Sequence, residues 1–176
     1  MNGFTFQAAK RLLLPLFSGA MIGMSDNEDM GKKKLNYLDQ LDQMLDAEFR
    51  IISMETYDVS RVQDLFVQIT RFSNKAFYSW EPGRGMHRIG AAHITIPRTQ
   101  TLEDVLTHVL NSKHFGVYII NGITDELEDK KIQEQFLELV TSEVPKVVVL
   151  LGEFIDLPKC LKPYTLRSKH QMRKAG

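Results

Sequence analysis

The sequence predicts an α/β domain: a three-layer sandwich built on a mostly parallel, five-stranded sheet. From Leu35 onward, short β-branched runs alternate with amphipathic helical stretches five times over. That is the pattern of parallel strands joined by crossover helices. The run "VVVLL" at 147–151 is wholly apolar, so its strand must be covered on both faces. The chain of 176 residues is 43% hydrophobic and 25% charged, which suits one globular domain with a real core.

The elements follow in order. Leu35, Leu38, Leu41 and Leu45 recur at helical spacing with Asp39, Asp42 and Asp46 opposite, an amphipathic helix. "RIISM" (50–54) reads as a buried strand. Residues 58–72 read as a helix capped by Asp58, with Val62, Leu65, Phe66 and Ile69 as its apolar stripe. "AFYSW" (76–80) is strand-like, and "AHITI" (92–96) a minor strand. Thr101 with Asp104 three residues on is a variant capping box, opening a helix whose apolar face is Val105, Leu106, Val109 and Leu110. "GVYII" (116–120) is a strand, 125–142 a helix, and "KVVVLL" (146–151) and "YTLR" (164–167) are strands. With the five main strands numbered along the chain, the expected order is 5-1-4-3-2. "VVVLL" then lies beside "RIISM", and the second strand lies at an edge.

Residues 1–34 are read as a flexible or mis-started leader, and 35–176 as a single domain. Lys10 and Arg11 precede an apolar run from Leu12 to Met24, as in a weak signal peptide. Pro15 interrupts that run, and it is too short to span a bilayer. A leader outside the fold, with translation from Met24 or Met30 as the variant, is the favoured reading. Lys plus Arg and Asp plus Glu number 22 each, so no whole-molecule field steers the protein to nucleic acid or anionic membrane. The single cysteine, Cys160, excludes an internal disulfide and an all-cysteine zinc site. A cytoplasmic protein is expected.

Such a layout invites comparison with nucleotide-binding folds. There the loop after the first strand is glycine-rich and ends in lysine, so that backbone N–H groups surround the phosphates. Here the loop is "SMETYDVSRV", with no glycine or lysine and with Glu55 and Asp58 where phosphates would sit. The strand expected to supply a magnesium-holding carboxylate runs instead into Asn121-Gly122. The Walker motifs are absent, and no cofactor is expected.

The stretches "FRIISMETYDVSRVQDLFVQI", "AFYSWEPGRGM", "TLEDVLTHVLNSKHFGVYIINGI" and "VPKVVVLLGEFIDLPKCLKPY" resemble the N-terminal domain of a group of AAA-type ATPases of cyanobacterial, chloroplast and other bacterial type. The likeness spans about residues 46 to 166. It implies a degenerate P-loop-like fold in which hydrolysis belongs to a following AAA module. The residues up to Gly176 hold no such module, so no ATPase activity is expected of them. The resemblance carries no catalytic residue onto this chain. It implies a binding or regulatory module acting through protein contacts, with an AAA ATPase as a partner.

The segment "EPGRGMHRIG" (81–90) has the composition of a phosphate loop. Its glycines follow the second strand and precede no helix in register, so the dinucleotide fingerprint fails. Pro82-Gly83 and Gly85 read as turn residues in a mobile connecting loop. Arg84, His87 and Arg88 are the residues able to contact an anion or an acidic partner, and Trp80 reads as core. His87 and His93 are placed in a loop, and His108 and His114 straddle a helix end. Neither pair has metal-ligand spacing with helical support. Cys160 has no base beside it. The basic end, with Arg167, Lys169, Arg173 and Lys174, offers phosphate contacts. The alternative function is therefore weak nucleotide or nucleic-acid binding through Arg84, Arg88 and that end. No nucleophile–base pair is visible, so an enzyme is not expected.

Overall fold

The computed structural model describes the backbone over residues 30–170 and the side chains over 38–168. The leader up to residue 29, Arg173 and Lys174 lie outside the described residues, as does the side chain of Lys169. The chain divides into two compact units between Phe49 and Arg50. The first holds helix α1 (Met30–Asp46). On it Leu38, Leu41, Met44 and Leu45 are buried while Asp39 and Asp46 are exposed, as an amphipathic spacing demands.

The second unit holds β1 (Ile51–Thr56), α2 (Val59–Ile69), β2 (Phe77–Glu81), β3 (Gly85–Arg88), β4 (Ala91–Ile96), α3 (Leu102–Asn111), β5 (Val117–Asn121), α4 (Lys130–Thr141), β6 (Val147–Gly152) and β7 (Thr165–His170). Among the described residues these strands form one seven-stranded mixed sheet, in the order β4-β3-β2-β5-β6-β1-β7. Pairings β1–β6, β1–β7, β2–β5 and β5–β6 are parallel; β2–β3 and β3–β4 are antiparallel. The expected five-stranded sheet is thus corrected to seven. Two strands extend it beyond β2, which is not an edge, and the edges are β4 and β7. His87 and His93 stand in β3 and β4 rather than in a loop.

Alternation decides which residues meet which helix. Trp80, Tyr118, Ile120, Val148 and Leu150 share a buried cluster with Leu102, Val105, Leu106 and Val109 of α3 and Ile132, Phe136 and Leu139 of α4. Phe77 points to the other face, where its ring lies 6.2 Å from that of Phe66 on α2. Helices therefore cover both faces, and β5 and β6 are apolar along nearly their whole length because both their faces are covered. Lys146, 2% exposed, lays its stem in this interior and donates from Nζ to the Leu110 carbonyl at 2.8 Å. That carbonyl belongs to the negative end of α3. Burial still holds the Lys146 pKa below the ordinary lysine value. The helix expected over 125–142 is broken by Asp129, which caps α4 through Lys131 N; a single 3-10 turn, Glu126–Glu128, precedes it.

Candidate functional site

In open α/β sheets ligands bind outside the carboxyl ends of the parallel strands. At the end of β1 the chain enters α2 through Thr56, Tyr57 and Asp58. Asp58 Oδ1 accepts from Arg61 N at 3.0 Å, and Thr56 Oγ1 accepts from Asp58 N at 3.1 Å. The positive end of α2, where a phosphate would be held, is thus already met by the chain's own carboxylate. Glu55 Oε1 accepts from Ile155 N at 3.2 Å and lies 3.8 Å from Arg167 Nη2. With its side chain only 11% exposed, Glu55 ties β1 to the segment after β6 and to β7. Two residues beyond the paired Glu55 and Gly152 stand Tyr57 and Phe154, 78% and 76% exposed. They place two aromatic rings in solvent at the ends of neighbouring strands.

Asn121 closes β5 and is buried. Its Nδ2 donates to Ser79 Oγ and to the Trp80 carbonyl, both at 3.1 Å. The position that would carry a metal-holding acid instead holds an amide that links β5 to β2. No group of three or more His, Cys, Asp or Glu side chains is arranged to hold a metal among the described residues. Cys160 is exposed and donates to Gln133 Oε1 at 3.5 Å.

The glycine segment is a β-hairpin. Arg84 N donates to the Glu81 carbonyl at 3.2 Å, and Gly83 has φ +78°. With Pro82 ahead of it, this is the signature of a type II turn. Gly85, φ +79°, then starts β3 against Thr99, whose Oγ1 would lie 3.3 Å from an added Cβ. The glycines serve a chain reversal and a close backbone approach. Thr99 itself, fully buried, accepts at Oγ1 from Met86 N at 2.9 Å and donates to the Ile96 carbonyl at 2.8 Å. Its carbonyl accepts from Trp80 Nε1 at 2.8 Å. Trp80 is core, as its sequence context suggested.

Arg84 is exposed in the turn, 3.7 Å from Glu81, and Arg88 is exposed at the end of β3. His87 is half-buried between them, and its Nδ1 is buried without a hydrogen-bond partner. Burial first, then the neighbouring Arg84, holds its pKa below the ordinary imidazole value, against an opposing pull from Glu81. The structure does not bring this group together with Arg167 on β7, the residue of the basic end whose side chain is described. From β3 to β7 the sheet takes five inter-strand steps, roughly 24 Å at about 4.8 Å each. Asn121, Ser79 and Thr99 are the organising residues that sequence reasoning left without a structural role. The one signal, for Asn121 and Ser79, is a polar side chain set in an apolar strand; Thr99 lies in the polar segment after β4 and gives none.

No helix among the described residues is long and apolar enough to cross a membrane. No curated protein matches the chain. A chain in the structure of Drosophila ORC bound to DNA is similar with a TM-score of 0.46 and 12% identity, over 95% of this chain and 33% of that one. The present sequence thus spans about a third of that neighbour. The family model for the N-terminal domain of SpoVK-like AAA ATPases matches residues 37–169, taking in every strand of the sheet up to Lys169. The chain belongs to that family.

Proposed function

We propose that this chain is a non-catalytic module of the AAA ATPase system, working through protein contacts. The observation that carries this reading is the engagement of Asp58 and Glu55 at the end of β1. One carboxylate caps α2 and the other bonds Ile155 N beside Arg167. Each puts negative charge where a nucleotide phosphate would have to sit, and like charges in one site are unfavourable. Asn121, bonded to Ser79 and Trp80, offers no charge to Mg²⁺. Tyr57 and Phe154 support a contact role, since exposed aromatic rings are enriched where proteins meet.

Titration calorimetry with ATP and Mg²⁺ tests the first half, with no saturable heat expected. Saturable, magnesium-dependent binding near micromolar would overturn it. The second half is tested by adding the chain to the AAA module of a family ATPase and measuring turnover. A change with the native chain that is lost with Tyr57→Ala and Phe154→Ala is expected. Unaltered turnover, with no complex formed, would count against a contact role on that module.

A further inference from the structure

We infer that the β4 edge of the sheet takes up an acidic, extended peptide segment from a partner protein by strand addition. This rests on the protein-contact reading above and names a surface and a partner chemistry for it. β4 (Ala91–Ile96) ends the sheet, with β3 on one side and no strand beyond it among the described residues. Its residues are exposed or half-exposed along its whole length, and Ile94 is 43% exposed. An edge of this kind presents free N–H and C=O groups to any extended chain. Natural edges are usually blunted by lysine, inward charges or proline within the strand. "AAHITI" has none of these, and Pro97 comes only after the strand closes; its one irregularity is the shift of register against β3 between His87 and Arg88, which leaves Thr95 and Ile96 in regular pairing.

The charge around the edge selects the partner. Residues 82–100, which contain β3 and β4, include Arg84, Arg88 and Arg98 with His87 and His93, and no Asp or Glu; the carboxylate of Glu81 stands just before them. Arg84 is paired with Glu81, whereas Arg88 and Arg98 are exposed at the two ends of the β3–β4 ladder. Arg98 adopts φ +56°, the left-handed region that residues other than glycine rarely enter. The next residue, Thr99, is held by its bonds to Met86, Ile96 and Trp80, which fix the bend that presents the Arg98 side chain at the strand end. A second copy of this chain is the poorer occupant. Two β4 strands paired antiparallel about a two-fold axis would bring Arg98 of one toward Arg88 of the other, and like charges set opposite one another are unfavourable. An extended segment carrying Glu or Asp meets both arginines. Its backbone completes the sheet, and its alternate apolar side chains lie beside Ile94.

The test uses the full chain and a short fluorescein-labelled peptide of alternating glutamate and valine, followed by fluorescence anisotropy. Two control peptides have lysine in place of glutamate, or N-methyl groups on alternate residues. Saturable binding of the acidic peptide is expected, weakened about tenfold or more by Arg88→Glu with Arg98→Glu. It should be lost on N-methylation and absent for the lysine peptide. The milder pair Arg88→Gln and Arg98→Gln, checked for native circular dichroism, should give an intermediate loss. Binding insensitive to N-methylation, equal binding of the lysine peptide, or no binding would overturn the inference. So would a dimer in sedimentation that Ile94→Lys dissolves, since a second copy would then own the edge. Failure here leaves the nucleotide calorimetry untouched, so the two readings fail separately.

Discussion

The indole Nε1 of Trp80 donates to the carbonyl of Thr99 at 2.8 Å, joining β2 to the residue just past the end of the hairpin that widens the sheet. The Thr99 hydroxyl meanwhile holds Met86 N and the Ile96 carbonyl, so one side chain bridges β3 and β4. Thr99→Val keeps the shape and removes both bonds, leaving a buried Met86 N–H without a partner. A loss of about 1–3 kcal/mol of stability is expected, read as a lower urea midpoint. An unchanged midpoint would mean the hairpin is held by packing alone.

Why this bridge was not legible in the sequence is instructive. The parallel part of the sheet could be read because β1, β5 and β6 are buried on both faces: β6 is an unbroken apolar run to Leu151, β5 is apolar up to Asn121, and β1 is apolar from Ile51 to Met54 apart from the buried Ser53. β3 has one apolar residue, Met86, and β4 has no buried residue at all. β3 is too short to show a strand period, so residues 81–90 read as a loop, while "AHITI" read as a minor strand without its place beside β3. Asn121 and Ser79 are 42 residues apart, and their bond exists only once β2 and β5 are neighbours. Asp58 was readable as the cap of α2, and its local bond to Arg61 N is that cap; the bond of Glu55 to Ile155 N, 100 residues away, depends on the fold.

Asn121→Asp would put a carboxylate where the amide now donates to Ser79 and to the Trp80 carbonyl. A buried, unpaired charge costs more than an unpaired neutral group, so a loss above about 2 kcal/mol at neutral pH is expected. Burial raises the pKa of the new acid above its unfolded value of about 3.9. The folded state then binds the proton more tightly, and the penalty grows as pH rises from that value through the higher folded one. Urea midpoints compared between neutral and mildly acidic buffer should show part of the loss recovered in acid. A penalty independent of pH would rule out charge as its cause.

His87 and His108 are both held below the ordinary imidazole value, chiefly by burial. Protonating His87 at Nδ1 would also bury an N–H with no acceptor. The unfolded chain takes up these protons more readily than the folded one. Stability is therefore full above the unfolded value of about 6.5 and falls as pH drops through it toward the lower folded values. The urea midpoint is expected to fall between slightly alkaline and mildly acidic buffer, and less so in His87→Gln. An equal fall in the variant would locate the effect elsewhere.

Arg84 and Arg88 point to solvent, and the Arg84–Glu81 pair at 3.7 Å is exposed on both sides. Exposed pairs of this kind contribute little. Replacing both arginines with alanine should move unfolding by no more than about 0.5 kcal/mol. If the double variant unfolds in native buffer, the arginines are structural and the hairpin offers no free basic surface.

The two glycines of "GRG" give the sharpest separation between a turn and a phosphate cradle. Gly83 and Gly85 share nearly the same backbone, φ +78° and +79°, so alanine is strained at either. Left-handed backbone costs an L-residue roughly 1–2 kcal/mol. The positions differ in what a Cβ would touch. At Gly83 nothing lies within 4 Å, whereas at Gly85 the Thr99 hydroxyl and the Gln100 amide lie at 3.3 Å and the Thr99 carbonyl at 3.4 Å. The Gln100 side chain can swing away, but the Thr99 backbone is pinned by Trp80 and cannot retreat without giving up its bond. Gly83→Ala should therefore cost about 1 kcal/mol, and Gly85→Ala about 2–3 kcal/mol, the excess reflecting crowding against a fixed neighbour. Combining Gly85→Ala with Thr99→Ala separates the two terms. The Thr99 side-chain atoms facing Gly85 are then gone, so the glycine change should cost less than in the native chain. Equal costs at the two glycines, or strict additivity with Thr99→Ala, would mean that the close approach of Gly85 to Thr99 does not organise the hairpin.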